Sequence, residues 1–568
     1  MSISTPRPWL RSYADGVPEE IEAPEGSLYD LIRSSVSTYP DHVALEFFGR
    51  ETTYADLGAE IERVAEGLRL LGVQKGDPVA IVLPNCPQHI VAFYAVLRLG
   101  AIVVEHNPVY TPRELRHQFE DHGARVAIAW DKVVGTMQAF PSDVRVETIV
   151  SVDVTRAMPW VTRAALRLPI AKARESRAAL TTKVSGTTRW EELTGSAPID
   201  AHIFAPGTDD VALIQYTSGT TGSPKGAVLT HANLLANAAQ AQAWVPAVPR
   251  GTNVVYAVLP MFHAYGLTLC LTFAMSMGGR LVLFPKPDPE LILKVVKKRP
   301  ATFLPAVPPI YQRLTAAADA SGVSLQGIEI AISGAMPLSA DVVEPWEARS
   351  GGYLVEGYGL SECSPVLMAN PVAPTRRAGT VGLPLPSTEA RVVDPDDPKT
   401  DVAAGTRGEL VVRGPQVFSG YWRKPEETDA VFVDDPDGGA RWFRTGDIVE
   451  IDEDGFVRIV DRIKELIITG GFNVSPSEVE DALRRHPDVE DVAVVGLPDT
   501  HSGEQVVAVV VPRAGATFDA EAIRTFARDG LTPYKVPKRV VQTTELPKSL
   551  IGKVLRREVR TALINDES

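Results

Sequence analysis

The sequence predicts an α/β protein: a large N-terminal domain of α/β layers with a β-rich subdomain, followed by a small α+β C-terminal domain. Three observations lead there. At 568 residues the chain exceeds one compact core and should divide. From Ser27 onward, helical spacings of apolar residues alternate with short apolar runs, the pattern of helices layered on strands. The stretch after residue 465 carries a mixture of helix and strand patterns of its own.

The first 25 residues are polar and proline-bearing and read as an irregular arm. Leu28, Leu31, Ile32 and Val36 then fall on one helical face, and Val43 to Phe48 reads as a strand. A helix pattern from Tyr54 to Leu71 stops at Gly72. Val79–Leu83, Ala101–Glu105 and Arg125–Ala129 are strand candidates, separated by helix patterns at Gln88–Leu99 and from Pro112. No internal repeat of solenoid length is present.

Composition narrows the class. An apolar share of 45% and a charged share of 23% are those of an ordinary globular protein. A net charge of −14 argues against a general nucleic-acid binder, which needs a basic face. Cys86, Cys270 and Cys363 are too scattered for a zinc site or a disulfide framework, so a reducing cytosol fits. Neither a signal peptide nor a membrane-spanning apolar run is found, and the expectation is a cytoplasmic protein. Residues 156–183 stand apart. Arg156, Arg163, Arg167, Lys172, Arg174, Arg177 and Lys183 face a single Glu175, with Trp160, Val161, Leu166, Leu168 and Ile170 among them. Such a segment suits peripheral contact with an anionic membrane, here the inner face; it also suits a solvated insertion, and Pro169 forbids one long helix.

Val211 to Ile214 reads as a short strand that breaks into Tyr216-Thr217-Ser218-Gly219-Thr220-Thr221-Gly222-Ser223-Pro224-Lys225-Gly226, with a helical, alanine-rich segment from Ala232 to Ala243 beyond. Glycines let backbone N–H groups close around an anion, hydroxyls add donors, and Lys225 adds a compact positive charge. The chemistry this suits is holding a polyphosphate. It is not the common phosphate loop, because Lys225 stands between Pro224 and Gly226 and the Gly-Lys-Ser/Thr core is missing.

Further apolar strands end in small residues. Val254–Leu259 runs into Pro260-Met261-Phe262-His263-Ala264-Tyr265-Gly266, and an apolar helix pattern follows over Leu267–Met277. Arg280–Phe284 and Thr302–Val307 are strand candidates. Ile328–Ile332 runs into Ser333-Gly334-Ala335-Met336-Pro337, and Tyr353–Val355 into Glu356-Gly357-Tyr358-Gly359-Leu360-Ser361-Glu362. Ligands bind open α/β sheets beyond the carboxyl ends of strands. The stretches at 379–384, 408–414 and 420–422 read as strands and turns of the β-rich subdomain, and Trp442 to Phe456 as a hairpin with an Asp-Gly turn. The C-terminal unit carries a helix from Pro476, strands at Val489–Val495 and Val506–Val511, a helix from Asp519 to Arg528, and Gly552-Lys553 ahead of a basic helix.

The run Tyr-Thr-Ser-Gly-Thr-Thr-Gly-Ser-Pro-Lys-Gly resembles the signature loop of the adenylate-forming superfamily of acyl- and aryl-CoA synthetases, peptide-synthetase adenylation domains and luciferases. Within it the chain is most similar to bacterial long-chain fatty acid–CoA ligases. The resemblance implies ATP and Mg²⁺ as cofactors, with coenzyme A as cosubstrate. It places Thr217, Ser218, Gly219, Thr220, Thr221 and Lys225 on the phosphates, and Gly334, Ala335, Glu356, Gly357, Tyr358, Gly359 and Ser361 around adenine. Asp447 would bind the ribose, Arg462 the ribose or phosphate, and Thr217 with Glu362 the metal. His263, Gly266 and Gly334 would border the acyl group, with the helix after His263 as core or tunnel wall. Lys464 would be the pivot of a hinge over 462–465, between a large domain at 1–461 and a mobile small domain at 466–568. Lys553 would serve catalysis with Glu362 and Thr217, and Gly470 and Gly471 would wall a coenzyme A tunnel. Ser361 departs from the family's threonine but keeps the hydroxyl.

The implied activity joins a fatty acid to AMP and then to coenzyme A. Medium-chain or aromatic acids, transfer to a carrier protein, a non-enzymatic nucleotide sensor and a homodimer stay open at this point. No carrier domain follows Lys553 in the sequence.

Overall fold

The computed structural model describes residues 7–566, apart from 204–205, 218–223, 404, 436–437, 470–471, 500–502 and 550–551, with backbone alone at 464, 472, 473, 503 and 529. Two large sheets dominate the chain up to residue 435. The first has nine strands, with a parallel body of Val43–Phe47, Arg280–Leu283, Val254–Ala257, Phe303–Ala306, Ile330–Ser333 and Tyr353–Gly359. Antiparallel edges close it, Arg50–Thr53 on one side, Val366–Ala369 and Leu383–Pro384 on the other. The second has eight strands. Its parallel body of Val211–Thr217, Ile102–Glu105, Pro78–Val82, Val126–Trp130, Thr148–Val152 and Thr188–Arg189 ends in antiparallel Lys225–Thr230 and Gly420–Tyr421.

One continuous core draws Leu45, Phe47, Tyr256 and Leu281 from the first sheet, and Val79, Ile81, Val103 and Ile128 from the second. The helix Pro87–Arg98 lies within it and is buried at every residue after Pro87, which its nearly unbroken apolar sequence requires. Local chemistry sets the other helix starts. Ser27 with Asp30, Thr111 with Glu114, and Thr230 with Asn233 form reciprocal side-chain caps ahead of Leu28–Thr38, Pro112–His122 and His231–Trp244.

A third, antiparallel sheet holds Glu389–Val393, Gly408–Arg413, Trp442–Ile451, Phe432–Val433 and Val457–Arg462. Two stretches expected in this subdomain belong elsewhere: Leu383–Pro384 extends the first sheet and Gly420–Tyr421 the second. Both are too short to announce a partner, and their pairing is set by tertiary contact. The N-terminal arm also differs from the expectation. Pro8–Ser12 forms a 3₁₀ turn, Trp9 is buried, Ser12 donates to the Asp454 carbonyl, and the Tyr13 hydroxyl donates to the Pro384 carbonyl at 2.7 Å. The arm therefore straps the 452–456 turn to the edge of the first sheet.

The C-terminal residues build a fourth sheet from Phe472–Val474, Ile467–Thr469, Gly503–Pro512, Val489–Asp499 and Arg539–Gln542. Helices Pro476–Arg484 and Ala520–Gly530 cover a core with Val479, Leu483, Val492 and Ile523, while Arg556–Asp566 places Val559 and Leu563 in a second core. The 156–183 segment forms two short helices, Trp160–Ala165 and Ala171–Leu180, interrupted around Pro169. No described helix is long and apolar enough to cross a membrane.

Candidate active site

Each large sheet makes the same transition at one side, from its last parallel strand into an antiparallel return. Functional candidates sit on both turns. In the second sheet, Val211–Thr217 returns as Lys225–Thr230, with Thr217 opposite Lys225 and Tyr216 opposite Gly226. The return strand begins at Lys225, earlier than the sequence suggested, so the lysine stands at the root of the hairpin. Ser218, Gly219, Thr220 and Thr221 lie outside the described residues. In the first sheet, Tyr353–Gly359 returns as Val366–Ala369 through a 3₁₀ turn, Ser361–Cys363, in which Glu362 and Cys363 are buried. That turn packs against both strands of the other hairpin.

Tyr421 joins the two. Its strand pairs with Lys225–Thr230, its hydroxyl donates to Glu362 Oε1 at 2.9 Å, and the Lys225 ammonium lies 5.1 Å from its ring centroid. Burial pushes the Glu362 carboxyl up, against the Tyr421 hydrogen bond and the more distant Arg462. A carboxylate so placed gains from a bound cation. Among the described residues no group of three His, Cys, Asp or Glu could hold a metal unaided. One carboxylate beside the hairpin expected to hold phosphate is nevertheless a donor set that suits Mg²⁺ arriving with a nucleotide, so Thr217 and Glu362 fit the expected ion.

The nucleoside end gathers around Asp447. This residue is buried on Trp442–Ile451, directly opposite Arg462 on Val457–Arg462. Arg462 Nε donates to Asp447 Oδ1 at 2.8 Å, and the Tyr358 hydroxyl donates to Oδ2, so the third sheet is tied to the first. Glu356 is half-buried, and desolvation pushes its carboxyl up to about 8, with the Leu338 backbone N–H opposing. Gly334 continues the strand Ile330–Ser333, and Ala335 adopts φ of 66°, a conformation costly for a residue with a Cβ. Gly357 and Gly359 lie on the strand beside Tyr358, and Ser361 opens the Glu362 turn.

At the expected acyl end, His263 is half-buried, and desolvation holds its imidazole below the usual range. The Tyr265 backbone N–H reaches its Nδ1. Tyr265 turns inward, its hydroxyl bonding the carbonyls of Ile332 at 2.8 Å and Ala306 at 3.1 Å, with its ring against Gly334. Gly266 has a packing reason of its own: a Cβ there would stand 2.2 Å from the Pro260 carbonyl oxygen. The helix beyond contains a π-helical stretch, Leu267–Thr272, all buried, with Thr268 bonding the Ser364 carbonyl at 2.6 Å.

Lys553 approaches from the C-terminal unit. Residues 548 and 554 bridge across a tight loop in which Ser549 N–H bonds the Lys553 carbonyl at 2.7 Å and Gly552 takes φ of 82°. Only glycine holds that conformation cheaply. A Cβ on Gly552 would lie 3.4 Å from both Met336 and Pro309, so the loop tip rests beside the Gly334-Ala335 stretch. Desolvation lowers the Lys553 ammonium, helped by Arg462 and opposed by Glu465 and Asp447. Gly470 and Gly471 lie outside the described residues, as does the side chain of Lys464, whose backbone belongs to the 3₁₀ turn Ile463–Glu465.

Two residues escaped the sequence reading. Tyr421 looked like part of a turn. Arg556 looked like one cation in a basic run, yet it bonds Glu465, Glu480 at 2.8 Å and Ser477 at 2.8 Å, fixing the base of the Lys553 loop to the 463–465 turn. Neither pairing has a local signal, because each joins segments distant in sequence.

Comparison with known proteins agrees with this geometry. The chain matches the AMP-binding enzyme family over residues 32–422 and the AMP-binding enzyme C-terminal domain over 478–553. It is 38% identical to a long-chain-fatty-acid–CoA ligase of Bacillus subtilis, across 98% of each chain. It is 34% identical to a feruloyl-CoA synthase of an Amycolatopsis species, across 92% of this chain and 96% of that one. ATP-bound MatB from Rhodopseudomonas palustris shares the fold at a TM-score of 0.80 and 31% identity, with 95% of this chain and 100% of that chain covered. Two hairpins joined by Tyr421 and a lysine loop from the C-terminal residues thus accompany a family match along most of the sequence: the chain belongs to the AMP-binding enzymes.

Proposed function

We propose that this protein is an AMP-forming long-chain fatty acid–CoA ligase. The observation that carries the reading is the set of contacts that links the Thr217/Lys225 hairpin to the Glu362 turn and ties Tyr358 to Asp447 and Arg462, with Gly552 of the Lys553 loop beside Met336. The acid is taken from the end-to-end likeness to ligases of that name.

In the first step a carboxylate oxygen attacks the α-phosphorus of ATP, and the bond to pyrophosphate breaks with its electron pair. Negative charge grows on the phosphoryl oxygens and on the departing group. Lys225 and the hairpin donors stabilise it from one side and Lys553 from the other, in a partly dehydrated cleft where such donors count most. Mg²⁺ held by Thr217 and Glu362 would supply further charge compensation on the phosphates. Asp447, with Tyr358 and Arg462, orients the ribose; Gly334, Ala335, Glu356, Gly357, Tyr358, Gly359 and Ser361 receive adenine. In the second step the coenzyme A sulfur attacks the acyl carbonyl, the thiol proton is lost, and AMP departs. Lys553 stands where the thiol must approach. Rotation of residues 466–568 about a hinge at 462–465, with Lys464 as pivot, would remove it and bring Gly470 and Gly471 to the pantetheine path. His263, Gly266 and Gly334 would border the acyl group.

The segment 156–183 would dock on an anionic membrane surface, where a sparingly soluble substrate resides. Trp160 is 77% exposed, with Val161, Leu168, Ile170 and most of the neighbouring arginines also exposed. The likeness to a feruloyl-CoA synthase favours a second reading, an aromatic acid in the same site.

Mass spectrometry of products from palmitate, ATP and Mg²⁺, with and without coenzyme A, tests the function. Palmitoyl-CoA only in the complete mixture supports it. Acyl-adenylate without thioester would point to a carrier-protein acceptor. Turnover of ferulate but not palmitate would give the second reading, and nucleotide binding without turnover of any acid would indicate a sensor.

A further inference from the structure

We propose that Tyr421 is a positioning residue that sets Glu362 and Lys225 in register on the phosphate side of the cleft; this rests on the functional reading above. The Tyr421 hydroxyl fixes one oxygen of a buried carboxylate at 2.9 Å, and its ring offers a π face to the ammonium at 5.1 Å. No other residue of the site contacts both hairpins in this way among the described hydrogen bonds and ring contacts.

The side chain is itself held. The Tyr421 backbone N–H bonds Thr428 Oγ1 at 2.9 Å, and the Trp422 N–H bonds the Gly226 carbonyl at 2.8 Å, one residue past Lys225. The Phe418 N–H bonds the Glu362 carbonyl at 2.8 Å, while the Phe418 ring meets Tyr421 edge-on at 5.0 Å. Backbone and side-chain contacts from 418–422 thus grip both the lysine root and the glutamate turn. A free carboxylate in a turn samples several rotamers; one pinned at Oε1 presents Oε2 in a fixed direction. Outer-shell donors of this kind orient metal-binding carboxylates, and their loss costs about 10- to 100-fold in metal affinity.

Tyr421→Phe separates the hydroxyl from the ring, keeping the packing on Phe418 and the face toward Lys225. The test is the thermal shift of the protein with a non-hydrolysable ATP analogue and no fatty acid, titrated with Mg²⁺. The proposal expects the Mg²⁺ concentration for half-maximal stabilisation to rise about tenfold in Tyr421→Phe. Full stabilisation should return at saturating Mg²⁺. In a Glu362→Gln background the same substitution should add little, because the hydroxyl acts through that carboxylate. Tyr421→Leu should in addition weaken the analogue at saturating Mg²⁺, through loss of the ring. A Tyr421→Phe midpoint equal to wild type, or an undiminished effect in Glu362→Gln, would overturn the inference alone. A wild type that shows no Mg²⁺-dependent stabilisation would overturn the functional reading and this inference with it.

Discussion

The two hairpins that carry the candidate site residues join their sheets alike and hold their charge differently. Both join the last parallel strand of a large sheet to an antiparallel return. The 217–225 turn keeps Thr217 and Lys225 only partly buried, with the ammonium over an aromatic ring. The 359–366 turn buries Glu362 and ties it to a phenol. A charge at the partly buried Lys225 costs little to maintain, whereas a charge on the buried Glu362 burdens the fold, and a cation bound beside it would relieve that cost. On the proposed function the first would recruit phosphate, and the geometry of the second would decide where the phosphate settles. A third charge, Lys553, belongs to neither sheet, and the neighbouring Gly552 stands beside Met336 and Pro309.

The largest expected effect tests that third charge. Lys553→Ala should lower acyl-adenylate formation by about 10²–10³-fold, the worth of one preorganised donor, and leave thioester formation from preformed acyl-adenylate within a few-fold. Equal losses in the two half-reactions would remove the domain rotation. Next comes the contrast between the turns. Glu362→Gln should reduce pyrophosphate exchange by about 10²-fold, and Thr217→Ala by about tenfold, the scale of one hydroxyl interaction. The reverse order would break the comparison.

A smaller effect concerns Glu356, beside the second turn. Its carboxyl is pushed up to about 8, so the folded protein keeps a proton that the unfolded chain releases near its ordinary value of about 4.3. The associated stability is full below the lower value and is lost as pH rises toward the upper one. Glu356→Gln should therefore gain in melting temperature relative to wild type between pH 5 and 8. A difference independent of pH would contradict the burial argument. Smallest of all, reversing charge at Arg163, Arg167, Arg174 and Arg177 should leave turnover of a soluble medium-chain acid unchanged and abolish co-sedimentation with anionic vesicles. Undiminished sedimentation would show that the segment is only a solvated insertion.

Much of the fold was legible because burial imposes period. The helix at 87–98 and the strands at 78–82 and 102–105 fall within a residue or two of the apolar patterns, since both sheet faces and that whole helix are covered. The hairpin itself was accessible through its Asp-Gly turn, but the Asp447–Arg462 pairing was not, since a register shift at Ile448/Val449 separates it from that turn. Trp9 was not, because an isolated tryptophan in a polar arm has no periodicity to reveal its burial. Gly420–Tyr421 was misplaced for the same reason that Tyr421 was overlooked: two residues carry no alternation, and their partner strand lies far away in sequence. Catalytic motifs announce themselves locally, and the contacts that aim them do not.

The central claim is that a carboxylate oxygen attacks the α-phosphorus. Palmitate labelled with ¹⁸O at both carboxylate oxygens, turned over with ATP and coenzyme A, tests it most directly. The account predicts one labelled oxygen in the phosphate of AMP and the other retained in the thioester. Label in inorganic phosphate, with ADP as the nucleotide product, would contradict it.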